Sequence, residues 1–108
     1  MIRHIVLFRA EDPANVEAVK NGLRRLCEIP AATVLEVELN SRKDALSDEI
    51  DVVVYGEFED EAALEAFKAH PIYHETIQVV RPMRDLRIAV DFESPSKAPG
   101  SLRDGDAA

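Results

Sequence analysis

Three histidines, His4, His70 and His74, are the side chains of this sequence that sit half-titrated near neutral pH without special help. Two of them stand four residues apart in His70-Pro71-Ile72-Tyr73-His74, with the Tyr73 phenol between them. A pair at that step holds zinc when both rings share one helical face, and peptide hydrolysis would need a glutamate directly after the first. Pro71 breaks the face and no glutamate follows His70, so no metal is expected. Nucleophilic chemistry has equally little to work with. Cys27 is expected on the apolar side of a helix, the serines lie mostly in loops or the tail with no elbow motif, and glycine-rich phosphate cradles are absent. What remains is general acid–base work by His and Tyr in an apolar pocket, chemistry that needs no cofactor.

The elements that must position these groups follow from periodicity. Ile2 to Arg9 is rich in branched and aromatic residues and reads as a buried first strand, with Ile2, His4, Val6 and Phe8 on one face. His4 therefore interrupts an apolar face, and its imidazole needs a polar partner beneath whatever covers it. Asp12-Pro13 caps a helix over 13–28, in which Val16, Val19, Leu23 and Leu26 recur at steps of three and four. Pro30 ends it, Thr33 to Leu39 returns to period two, and 40–48 is a polar loop. Asp51 to Phe58 is a third strand. Asp60 caps a second helix with Ala63, Leu64, Ala66 and Phe67 as its stripe. Pro71 interrupts that helix, and a third one, 72–80, packs Ile77 and Val80 with Tyr73 or His74. Leu86 to Phe92 alternates as a last strand. Residues 94–108 carry two prolines, two glycines and scattered charge, a composition that cannot bury a core, and are expected to be disordered.

Strand, helix, strand, strand, broken helix, strand in 108 residues specifies one α+β domain over 1–93, a ferredoxin-like βαββαβ protomer with an antiparallel sheet. Helices cover one sheet face. The other still carries Ile5, Leu7, Val53 and Tyr55, more apolar surface than a small monomer tolerates, so a homodimer through the sheet faces is expected. Twenty-one acids against 13 bases, net −8, disfavour nucleic acid and anionic membrane as partners. No stretch approaches a membrane span or a secretory segment, and a cytoplasmic location is expected. Nine acids and no Lys or Arg lie between Asp44 and Glu65, which reads as a solvated edge or as a docking surface for a cation or a basic partner.

Residues 1–9, Glu57 to Pro71 (EFEDEAALEAFKAHP) and 87–92 (RIAVDF) resemble, in order, motifs of the stress-responsive A/B barrel (Dabb) domain family. The resemblance spans about 1–93 and implies a ferredoxin-like protomer whose two sheets pack face to face as a dimeric α+β barrel. In the olivetolic acid cyclase branch of that family, a histidine of a His-Pro-x-His motif, aided by a first-strand histidine and a nearby tyrosine, closes a linear polyketide by an aldol reaction without cofactor. Carried over, His4 matches the first-strand histidine and His70-Pro71 the start of the motif. The second motif histidine falls on Tyr73, with His74 one place on, and the preceding tyrosine is Phe67. Two readings stand. One is a small-molecule binder or acid–base enzyme for an aromatic or polyketide-like compound, with His4, Tyr73 and His74 as catalytic candidates and Phe67, His70 and Ile72 as binding candidates. The other is a stress-associated dimer with no substrate and a filled interior.

Overall fold

The computed structural model describes residues 1–96, in the order β1 (Ile2–Ala10), α1 (Val16–Arg24), β2 (Val34–Leu39), β3 (Val52–Phe58), α2 (Glu61–Ala69), α3 (Pro71–Val80) and β4 (Arg84–Glu93). The strands pair antiparallel in the order β2-β3-β1-β4, the expected ferredoxin-like sheet with the helices on one side. No described helix is long and apolar enough to cross a membrane.

Register sorts the sheet into rows. On the helix-covered face, Val54–Val6–Ala89 and Gly56–His4–Asp91 lie side by side across β3, β1 and β4. The opposite face carries Val53–Leu7–Ile88, Tyr55–Ile5–Val90 and Glu57–Arg3–Phe92. Ile2, His4, Val6 and Phe8 are accordingly buried, while Ile88, Val90 and Phe92 are 43%, 51% and 47% exposed. The uncovered face is thus broader and more apolar than β1 and β3 alone indicate, because β4 turns its branched and aromatic residues toward it. At one end of that face Arg3 pairs with Glu57 at 2.6 Å, and the Tyr55 hydroxyl donates to Glu57 Oε2 at 2.5 Å. Burial, then the Glu57 carboxylate, pushes the Tyr55 phenol above its usual range.

The first helical stretch differs from a continuous 13–28 helix. Pro13–Asn15 is a 3₁₀ turn capped by the Asp12 carboxylate, α1 follows, and Arg25–Glu28 tightens to 3₁₀. That tightening corrects the placement of Cys27. At three residues per turn Leu26 falls beneath Leu23 and is buried, whereas Cys27, which an α-helix would set below Leu23, turns outward and is exposed. Of the expected tail, 94–96 are described, and there the Ser94 N–H donates to the Met1 carbonyl at 2.8 Å; residues 97–108 lie outside the described ones.

The acidic stretch has local tasks. Asp44 and Asp60 cap helical turns, Glu57 meets Arg3, and Asp48 and Asp51 meet Arg42, whose positive φ of 56° bends the β2–β3 loop back on itself. Asp51 also accepts the buried Ala10 N–H at 2.8 Å. Asp51→Ala leaves that N–H without a partner and is expected to destabilise the fold by about 1–3 kcal/mol, read as a lower urea midpoint at unchanged slope. A change inside experimental error would mean that water replaces the carboxylate.

Candidate functional site

His4 sits at the middle of the helix-covered face, 2% exposed. Its polar partner is Asp91, directly across on β4: the ring Nδ1 and Asp91 Oδ1 form a hydrogen bond. Gly56, on the other side of His4 in the same row, has no room for a side chain, because a Cβ would come within 2.8 Å of the Phe58 ring. Phe58 and Phe67 meet the imidazole edge-on at centroid distances of 6.1 and 6.4 Å. These rings and the carboxylate fix the orientation of His4, and Nε2 has no hydrogen-bond partner among the described residues.

How α3 is aimed depends on His70. Its extended backbone (φ −68°, ψ 140°) ends α2, and its Nδ1 accepts the Ile72 N–H at 3.1 Å, so one residue closes one helix and caps the next. Pro71 supplies the first helical position, where no N–H is needed. His70 therefore acts at a helix N-terminus, with its ring accepting. From this start Tyr73, Thr76, Ile77 and Val80 fall at steps of three, four and seven on one face and turn toward the sheet. His74, about 100° round the helix from Tyr73, is exposed.

Between that face and the sheet lies a cavity of about 280 Å³. His4, Val6, Phe8 and Val54 form its floor, Leu23, Leu26, Phe67, Tyr73, Thr76, Ile77 and Val80 its helical wall, and Arg81, Arg84 and Arg87 its remaining side. Of the sequence candidates, His4, Tyr73 and Phe67 line it together, with Phe67 against Tyr73 edge-on at 5.4 Å. His70, Ile72 and His74 do not line it; Ile72 is half-buried against the core. No group of three or more metal-ligating side chains occurs among the described residues.

Several residues of the site escaped the sequence reading. Asp91 is one, although the alternation Arg87–Ala89–Asp91 and antiparallel pairing of the first and last strands would together have set a carboxylate beside His4. Thr76 is another. It is 3% exposed and lines the cavity, and its hydroxyl has no hydrogen-bond partner among the described residues. The three arginines are the third, and nothing in their spacing alone marks them.

The arrangement can be compared with known proteins. Nothing among curated proteins matches the sequence. Several solved structures share the fold. A dimeric ferredoxin-like protein of unknown function from Thermobifida fusca is 30% identical, with TM-score 0.71 over 84% of this chain and 88% of its own. A Dabb family protein from Mesorhizobium loti has 22% identity and TM-score 0.70 over 88% and 97% of the two chains. An antibiotic biosynthesis monooxygenase, 17% identical, reaches TM-score 0.71 over 89% and 100%, a likeness of fold alone. The model of the stress responsive A/B barrel domain matches residues 2–94, from the strand that holds His4 to the end of the strand that holds Asp91. With that match and a 30% identical neighbour of the same architecture, this chain belongs to the stress responsive A/B barrel domain family.

Proposed function

We propose that the protein is a homodimer that binds a small carbonyl compound with an aromatic or polyketide-like body in the cavity and performs cofactor-free acid–base chemistry on it. The observation that carries this reading is the buried His4 imidazole, held by Asp91 through Nδ1, whose other nitrogen is left to a cavity of about 280 Å³. That volume is near the lower end of small-molecule sites, roughly 300 Å³, and speaks against a filled interior.

In this reading Nε2 of His4 takes a proton from the carbon next to the carbonyl, and the C–H electron pair moves into the carbonyl as an enolate. The Thr76 hydroxyl and the Tyr73 phenol, both on the cavity face of α3, are the donors available to the developing oxygen charge. The resulting imidazolium is stabilised by Asp91 and returns the proton to product. Phe67 supplies an apolar wall, while His70 and Ile72 act at one remove by setting the direction of α3. The dimer rests on the apolar rows of the uncovered sheet face and on the dimeric Thermobifida fusca neighbour.

The test is deuterium exchange of the methyl protons of 4-propylacetophenone in D₂O, followed by proton NMR. Wild type is expected to accelerate exchange over buffer, and His4→Ala to lose about 10²- to 10⁴-fold of that acceleration. His74→Ala should be indistinguishable from wild type, since His74 stands outside the cavity. No acceleration by wild type rejects the acid–base reading. An equal loss in His74→Ala would move the chemistry out of the cavity.

A further inference from the structure

The arginines among the described residues divide into two sets. Arg3, Arg9, Arg24, Arg25 and Arg42 each meet a carboxylate within 4 Å: Glu57, Asp85, Glu38, Glu75 and Asp51 in turn. Arg81, Arg84 and Arg87 meet none among the described residues, in a sequence with 21 acids to 13 bases. These three are also the arginines that line the cavity. Arg81 has an ordinary reason to stand where it does, because it follows the C-terminus of α3, where the helix dipole favours a cation. Arg84 stands half-buried with no such reason, and Arg87 is exposed at the cavity's edge. They enter from β4, with Arg87 on the helix-covered face directly opposite Phe8, and Arg84 is only half exposed. Burial, and then the neighbouring charges of Arg87 and Arg81, hold the Arg84 guanidinium below its usual range. Three like charges gathered around an apolar cavity repel one another, and an anion among them would relieve that repulsion.

A second feature borders the same space. The Thr76 hydroxyl is buried without a partner, at a cost that a ligand oxygen would remove. The cavity is therefore lined by apolar walls, by the two polar residues His4 and Thr76, and by arginines on one side.

We propose that the molecule this cavity takes is an amphipathic carboxylate: a ring or short apolar body among Val6, Phe67 and Val80, an oxygen toward Thr76, and a carboxylate held by Arg84 and Arg87. A guanidinium presents paired N–H donors that match the two oxygens of a carboxylate, and a half-buried one loses less of that interaction to solvent. A cavity of about 280 Å³ holds a ring or a short apolar body and not the whole of a long acyl chain. The proposal rests on the reading of the cavity as a small-molecule site and adds the charge of what enters it.

Isothermal titration with 4-acetylbenzoate and its neutral isostere 4-acetylbenzamide separates the two ideas. Wild type is expected to bind the acid about tenfold more tightly than the amide, a preference that shrinks as ionic strength rises. Arg84→Gln combined with Arg87→Gln should bring the acid down to the affinity of the amide. An unchanged thermal melt certifies that the double variant is folded. Thr76→Val should weaken both probes alike. Equal binding of acid and amide by wild type, or a preference that survives the double substitution, overturns the carboxylate proposal and leaves the cavity reading standing. Failure of wild type to bind either probe overturns both.

Discussion

Replacing Val90 by glutamate is expected to convert a dimer into monomers or aggregate, seen by light scattering at micromolar concentration. Val90 is the right position because the register sets it beside Ile5 and, beyond it, Tyr55, with the Leu7–Ile88 pair in the next row. A sheet packed on this face covers these rows together, and a stable interface of this kind buries roughly 800 Å² on each partner. By the twofold relation of such a pairing, each substituted chain brings its own carboxylate to the interface, so the change acts twice. A charge buried without a partner costs several kcal/mol, comparable to the whole stability of a small domain. Leu7→Glu makes the same test from the adjacent strand. Its neighbours Val53 and Ile88 are both apolar, so it should behave as Val90→Glu does. Glu38, on the same face but at the β2 edge beside Val53, is the control: charge is already present there, and Glu38→Gln should leave the assembly intact. A Val90→Glu protein that remains a dimer of unaltered stability would remove the sheet face from the interface.

How much of this could be read from the sequence depends on whether a feature is set by local chemistry or by pairing. Alternation in β1 separated Ile2, His4, Val6 and Phe8 from Ile5 and Leu7 correctly, because a strand's side chains have no freedom to do otherwise. Asp60, Pro71 and Pro82 punctuate the helices where caps and missing N–H groups require. The demand that His4 find a polar partner was equally legible, since an unpaired buried imidazole is costly. Its identity required the pairing of the first and last strands as well as their alternation, because Asp91 reaches His4 from 87 residues away in the chain. Thr76 and the arginines were invisible for a related reason: a polar residue becomes informative when its surroundings deny it a partner, and those surroundings are tertiary. Tyr73 and His74 were left undecided between two helical faces separated by one residue. The start of α3 at Pro71, fixed by the His70 cap, is what puts Tyr73 inside and His74 out. Cys27 went astray because the last turn of the first helical stretch tightens, which a purely periodic reading does not anticipate.

Asp91→Asn is the substitution expected to separate the site's geometry from its chemistry. In the neutral ring the carboxylate accepts from His4 Nδ1, which places the proton on that nitrogen and leaves Nε2 bare. An asparagine of the same shape can offer its N–H₂ to Nδ1 instead, and the ring then carries its proton on Nε2, where it cannot act as a base. It also removes the anion that stabilises the imidazolium formed during proton transfer. Exchange of 4-propylacetophenone methyl protons is expected to slow by about 10²- to 10⁴-fold, as orienting carboxylates of this kind do elsewhere. Probe binding should change far less, because Asp91 is not among the cavity-lining residues. The readout that a merely structural role would not move is the ¹⁵N spectrum of the His4 ring: wild type should show a protonated Nδ1 and bare Nε2, and Asp91→Asn the reverse. Asp91 is 39% exposed in its side chain, so the substitution does not bury an unpaired group and the fold should survive it. If the tautomer inverts while exchange proceeds at the wild-type rate, His4 is not the base. If neither changes, Asp91 holds β4 to β1 and nothing more.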